Sequence, residues 1–226
     1  MTATALKTWA NSQTEEDAMN DDHAPLWKRM IELILEDNYE GKVVLDYGCN
    51  QGGFLKMLSN VSPFERAVGV DIAENSVKMA EKRLSPLPFT GGLPEILGVI
   101  KEEFDCAFSH EVLYLLPDLK AHAELIHSVL KPGGVYYAAI GCHTDQPQWK
   151  SWFDVINEYS NVPSQNYSLD DYSSAFFENG FTASVQPFRL RGFFPLKHKN
   201  PYFPKVTDSI RYYDNDKVLF RFQKEG

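Results

Sequence analysis

Residues 43–55 read VVLDYGCNQGGFL: an apolar strand ends in a carboxylate, and a glycine-rich turn then opens a helix. That order belongs to an open α/β sheet, where the crevice beyond the carboxyl ends of the strands takes ligands and glycine lets the backbone approach them closely. A dinucleotide would ask for G-x-G-x-x-G, with amides and a helix N-terminus facing its pyrophosphate, and Gly48, Asn50 and Gly53 meet that spacing only with Asn at the middle glycine. Asp46 sets the polarity of the site. A carboxylate two residues before Gly48 repels a pyrophosphate and suits a ligand carrying ammonium and sulfonium charge.

The pattern continues downstream. Apolar segments near 43–46, 67–71, 104–108 and 134–140 alternate with helical stretches near 53–59, 74–84 and 118–130, which implies a parallel sheet with right-handed crossovers. Upstream, Leu26, Trp27, Met30, Ile31, Leu33 and Ile34 recur at helical spacing and predict an amphipathic helix from Ala24 to Glu36. A further helix is expected across Gln148 to Tyr159. Another is opened by Ser168 with Asp171 near capping-box spacing and closed by Gly180. Thr182 to Leu190 and Lys217 to Gln223 alternate apolar and polar residues and suit an antiparallel pair at a sheet edge.

Four segments, in order from about residue 43 to residue 141, resemble the class I S-adenosylmethionine-dependent methyltransferases. LDYGCNQGG is similar to the family's D-x-G-x-G-x-G, with Asp46, Gly48 and Gly52 in register and Asn50 at the second glycine, a residue that tolerates positive φ. AVGVDIAENSV brings Asp71 to the end of the second strand, 25 residues after Asp46, where the resemblance implies an acid that accepts from both ribose hydroxyls, with Ile72 against the adenine. EEFDCAFSHEVLYLLPD resembles the fourth strand and the turn after it, which would place Ser109, His110 and Glu111 along the methyl-transfer cleft. LKPGGVYYAAIG resembles the turn and fifth strand. The third-strand region, SPLPFTGGLPEILGVI, lacks the family's Gly-Asp pair; Gly91, Gly92 and Leu93 stand in that place, so adenine recognition there would rest on backbone groups. The resemblance implies a doubly wound, seven-stranded Rossmann-like α/β sheet, mostly parallel with an antiparallel C-terminal strand. It also implies S-adenosylmethionine as cofactor, held by Asp46, Gly48, Asn50, Gly52, Asp71, Ile72, Ser109 and His110.

At 226 residues with 43% hydrophobic composition, the chain is expected to form one domain over 1–226, with 1–40 a helical cap and 189–205 an insertion able to act as a lid. No signal-peptide pattern and no apolar run of about 18 residues occurs, so no membrane partner and a cytoplasmic location are expected. Cys49, Cys106 and Cys142 lack C-x-x-C spacing and read as buried thiols, and no histidine pair has metal-ligand spacing. A formal net charge of −9 argues against nucleic acid as the main partner. Locally, however, RLRGFFPLKHKNPYFPK carries six Lys, Arg or His between Arg189 and Lys205, either as a solvated loop or as a cover over an anionic or aromatic group.

Methyl transfer from a sulfonium is an in-line displacement that depends chiefly on holding the nucleophile in a dry cleft, and a base is needed only where the acceptor must lose a proton. His110 is the leading base, with a second reading in which it only shapes the cofactor pocket; Tyr114 and His143 are further wall candidates. His23 and Trp27 on the first helix could touch ligand at the cofactor mouth, although for Trp27 packing against the sheet is the preferred reading. His122 and His127 read as surface or packing residues. The sequence thus points to methyl transfer to a small-molecule O, N or S acceptor. RNA or protein methylation and a non-catalytic cofactor-binding protein are the alternatives, and the oligomeric state is left open.

Overall fold

The computed structural model describes residues 6–101, 103–194 and 196–226. The first five residues of the expected cap, Glu102 before the fourth strand and Pro195 of the expected insertion lie outside the described residues. Seven strands form one sheet: β1 (Val43–Tyr47), β2 (Arg66–Val70), β3 (Phe89–Gly92), β4 (Phe104–His110), β5 (Leu130–Ile140), β6 (Phe181–Pro187) and β7 (Val218–Lys224). Their order is β3-β2-β1-β4-β5-β7-β6, parallel from β3 to β5, with β7 running antiparallel between β5 and β6. This is the expected Rossmann-like arrangement.

Helices cover both faces, which is why β1 and β4 are apolar almost throughout rather than alternating. On one side Leu45, Val68, Ala107, Tyr136 and Phe222 pack with α4 (Leu119–Val129) and α6 (Leu169–Phe177). On the other, Val44, Ala67, Phe108 and Tyr137 pack with α1 (Gln13–Leu33) and α2 (Gly53–Val61). Between β2 and β3 runs α3 (Glu74–Leu84), and α5 (Trp149–Tyr159) follows β5. α5 joins a third, aromatic cluster in which Trp149 and Trp152 meet Tyr114 and Tyr212. Ser168 and Asp171 close a full capping box on α6.

Three boundaries differ from expectation. α1 starts eleven residues before Ala24, capped by Ser12, whose hydroxyl accepts from the Glu15 amide at 3.3 Å, and it continues through Pro25. Residues 13–24 are acidic and polar without apolar periodicity, and Pro25 marks a helix start on sequence grounds. Second, the Lys131–Gly134 turn lies inside β5, looping out where the β4 register shifts, with Gly133 at φ +75. Third, the end pair is β6 and β7, so Phe188 to Leu190 lie beyond the strand; the Phe188 and Leu190 amides still bond to Lys217 and Tyr213 carbonyls.

Candidate active site

The sheet order reverses between β1 and β4, and the crevice at that switch point opens into a cleft of about 2090 Å³. Single drug-sized ligands occupy roughly 300–1,000 Å³, so the cleft has room for two ligands side by side. Its two ends differ in chemistry. Asp46, Gly48, Asn50, Asp71, Ile72 and Pro94 line the end beyond β1, β2 and β3. His110 at the end of β4 and Glu111 and Tyr114 just after it line the other, with Trp152 of α5 and residues of the 189–205 segment.

At the first end the glycine turn is held from three directions. Gly48, at φ +80, and Cys49 donate to the Val70 carbonyl at 2.7 and 3.0 Å, and a Cβ on Gly48 would lie 2.3 Å from Val112 Cγ2. Asn50 keeps the turn at φ 43. Its side chain does not obstruct the ligand space, because Oδ1 accepts from the Gln51 amide at 2.8 Å and Nδ2 donates to Glu16 Oε1 at 3.0 Å. Glu16 is fully buried and also takes the Ser76 hydroxyl and the Trp9 amide; burial raises its carboxyl while these donors pull it down. Asp17 accepts from Gln51 Nε2 at 2.6 Å, and Asn20 accepts from Arg83 at 2.7 Å. The N-terminal half of α1 is therefore part of the ligand turn. Sequence reasoning passed over Glu16 as one of an acidic run; the available signal was Ser12-x-x-Glu15, a helix start.

Asp71 accepts from the Asn50 amide at 2.8 Å and the Ala73 amide at 2.9 Å, one through each oxygen. Burial pushes it up to about 6 against the pull of those amides. Each oxygen retains a second lone pair for a ligand hydroxyl. Asp46 has no such support. Its Oδ2 is buried without a hydrogen-bond partner, and burial, with Asp71 nearby, pushes the carboxyl up to about 8. The unpartnered oxygen beside the glycine turn has room in its hydrogen bonding for one donor.

At the junction of the two ends, His110 and His23 face each other edge to face with ring centroids 5.0 Å apart. His110 Nε2 is buried and has no partner. Removal from bulk water, then the Lys217 charge, lowers both imidazoles, His23 to about 4 and His110 well below its ordinary value, so both are neutral at pH 7. Lys217, with no exposed surface, forms an ion pair with Glu111, which also accepts from the Gly141 amide at 3.1 Å and the Tyr212 hydroxyl at 3.3 Å. Glu111 sits at φ 56, a left-handed conformation held by these contacts. This pair was not visible in the sequence, because only the insertion of β7 beside β5 brings residue 217 to residue 111.

Several expected site residues lie elsewhere. Ser109 does not line the cleft: strand alternation turns its hydroxyl to Tyr136, 2.6 Å away in the core. His143 is buried with Nε2 2.7 Å from the Asp216 carbonyl, off the cleft wall. Gly52, at φ +74, shapes the turn from behind, where a Cβ would meet Leu84 and Ala80. Gly91, Gly92 and Leu93 are also set back, and Pro94 lines the cleft in their stead. Tyr114 is on the wall, its phenol pushed well above its ordinary range by burial. Trp27 serves both purposes, lining the cleft while packing so closely that a Cβ on Gly53 would lie 2.3 Å from its ring. The three cysteines are free and buried, no group of three or more metal-ligating side chains occurs among the described residues, and no helix there is long and apolar enough to cross a membrane.

A family profile described as a methyltransferase domain matches residues 45–138, the span that carries the glycine turn, Asp71 and His110. Over those residues, which make up less than half of the chain, it is similar to methyltransferase domains. In fold, the chain is similar to a chain in the Haloferax volcanii complex between the Trm112 methyltransferase activator and a methyltransferase, with a TM-score of 0.78 at 20% identity, covering 95% of each chain. Among curated proteins, the chain is 27% identical over 134 residues to the human mitochondrial arginine-hydroxylase NDUFAF5, covering 59% of this chain and 39% of that protein. It is 26% identical over 157 residues to ribosomal RNA small subunit methyltransferase H of Corynebacterium glutamicum (strain R), covering 63% and 46%. The chain thus spans less than half the length of these curated relatives. With a relative named for ribosomal RNA, the expectation against nucleic acid as the main partner, drawn from net charge, is not supported.

Proposed function

We propose that this chain uses S-adenosylmethionine to methylate a nucleophilic oxygen, nitrogen or sulfur on a small acceptor held in the second end of the cleft. The observation that carries the cofactor reading is Asp46, a buried carboxyl with an unpartnered oxygen beside the Gly48 turn. When bound, S-adenosylmethionine supplies an electrophilic methyl on a sulfonium centre. Asp46 would hold the ammonium group, Asp71 the ribose hydroxyls, and Ile72 with Pro94 would flank the base. His23 and His110, both neutral, stand at the junction of the two ends, where His110 Nε2 is free to accept a proton from an acceptor hydroxyl. Tyr114, kept protonated by burial, would donate a hydrogen bond there. His143 is given no part in this reading, since its Nε2 is engaged with the Asp216 carbonyl.

Enclosure supports a small acceptor. α1 and the 189–205 segment face each other across the cleft, joined by Lys197 and Asp22 at 2.6 Å, and together would exclude water from the junction. Calorimetry with S-adenosylhomocysteine tests the cofactor reading. Binding is expected for the wild type, no NAD binding is expected, and Asp71→Ala should weaken affinity about tenfold to a few hundredfold, the worth of one hydrogen bond or more to a charged group. NAD binding without S-adenosylhomocysteine binding would refute it. The basic 189–205 segment favours RNA as a second reading, for which affinity should fall steeply with salt. A non-catalytic role, motivated by Asn50 and the unusual third-strand region, has less support from Asn50, whose side chain is absorbed by Glu16 and Gln51; turnover on any acceptor excludes it.

A further inference from the structure

The 189–205 segment holds five Lys or Arg and no Asp or Glu, in a chain whose formal net charge is −9. Four of the five, Arg191, Lys197, Lys199 and Lys205, line the mouth of the cleft. Lys197 is matched by Asp22 of α1, whereas Arg191, Lys199 and Lys205, all exposed, have no ion pair among the described residues. The acids on the facing wall are Glu15, Asp21, Asp22 and Glu32, and of these Asp22 is engaged by Lys197 and Glu32 by Arg29 at 3.1 Å. The mouth therefore carries uncompensated positive charge on one side.

Directly inward, the same segment changes character. Trp152, 5% exposed, is boxed by Tyr202, Phe203 and Tyr212 with ring centroids 5.3, 5.2 and 4.8 Å away, and its Nε1 donates to the Tyr202 carbonyl at 2.5 Å. Tyr212 in turn reaches Glu111, the residue after His110. A path from solvent to the junction thus passes a cationic lip, an aromatic floor and then the His23–His110 pair. Complementarity to that sequence of surfaces defines an occupant with three parts.

We propose that the acceptor is a small amphipathic acid, with its anionic group at Arg191, Lys199 and Lys205, an aromatic or aliphatic body on the Trp152 floor, and the methyl-accepting nucleophile at the opposite end beside His110. The anionic group is thus a handle, remote from the atom that is methylated. The assignment of the nucleophile rests on the methyltransferase reading, whereas the anion and body sites stand on charge and packing alone. A nucleic acid is the less fitting polyanion, because base stacking needs open aromatic faces and Trp152 is 5% exposed, boxed by Tyr202, Phe203 and Tyr212.

Calorimetry with a series of ω-hydroxyaryl and ω-hydroxyalkyl carboxylates and their methyl esters, on protein alone and on protein saturated with S-adenosylhomocysteine, tests this. At least one acid should bind more tightly than its ester, by roughly tenfold at low salt, and the preference should shrink as salt screens the lip. Arg191→Glu/Lys199→Glu/Lys205→Glu should erase the preference while ester and S-adenosylhomocysteine binding are unchanged, which also certifies that the variant is folded. Equal binding of acid and ester, an acid preference that survives the triple reversal, or no binding by any member of the series overturns the proposal. So does tighter binding of a short RNA with a steep salt slope. Acid binding without S-adenosylhomocysteine binding would leave the acid site standing and refute the cofactor reading instead.

Discussion

Replacing Asp46 by Asn tests whether the fold carries this carboxyl at the expense of its own stability. The group releases its proton at 3.8 in an unfolded chain and at about 8 in the folded one, first because it is buried and second because Asp71 is close. A folded-state value above the unfolded one means that this group's contribution to stability is most favourable below pH 3.8, falls as pH rises, and levels off above 8. By pH 7 the unfolded chain has gained about three pH units of ionisation that the folded chain has not, or roughly 4 kcal/mol at about 1.36 kcal/mol per unit. Asn has nearly the same shape and no charge in either state. An amide nitrogen left without an acceptor would cost about 1–3 kcal/mol, so Asp46→Asn should be more stable than the wild type by about 1–3 kcal/mol at pH 7. For a chain of this size that is a rise of roughly 2–12 °C in Tm. The advantage should vanish or reverse near pH 4. Thermal unfolding of ligand-free protein from pH 4 to pH 8.5 measures it. The same variant should lose about tenfold to a few hundredfold in S-adenosylhomocysteine affinity, because a neutral amide cannot match an ammonium. Parallel pH profiles for the two proteins, or a less stable variant at pH 7, would mean that Asp46 is ionised and satisfied in the free protein, and the cation-receptor reasoning would fall.

Two further outcomes are expected. Lys217→Met strands Glu111 as a buried charge and should destabilise the protein by about 3–5 kcal/mol at pH 7. Burial alone would raise Glu111, but the Lys217 charge and hydrogen bonds hold it below its ordinary value, so this contribution is present above pH 4.5 and is lost as pH falls through the lowered value. Urea unfolding against pH should therefore show the deficit of the variant shrinking toward acid. Separately, replacing residues 193–199 by a two-residue link should leave S-adenosylhomocysteine binding within about threefold while acceptor turnover falls at least about tenfold; equal turnover by both proteins would refute a lid role for the segment.

The parallel core was legible because burial on both faces writes continuous apolar runs, and the glycine turn because Gly48 and Asp46 sit at a fixed offset from a strand end. The capping box at Ser168 was legible for the same local reason. What escaped was non-local. Glu16 acts on Asn50, 34 residues away, and looks like any solvated acid until α1 is docked. Lys217 meets Glu111 across 106 residues, only because β7 enters the sheet beside β5. Ser109 was misplaced by a single step of strand alternation, which sends neighbours to opposite faces. His143 was placed correctly in sequence, just after β5, but its ring turned to the Asp216 carbonyl.

The position of β7 also orders events during synthesis. It is the last strand in sequence, yet it is an interior strand of the sheet, paired on one side with β5 and on the other with β6. Until residues 218–224 emerge from the ribosome, β6 has no partner, the outer edge of β5 is bare and Glu111 lacks its counter-charge. In sequence order β1 to β4, with the glycine turn and Asp71, all precede the residue that pairs with Glu111. The unpaired β5 edge is the surface that needs shielding until β7 arrives.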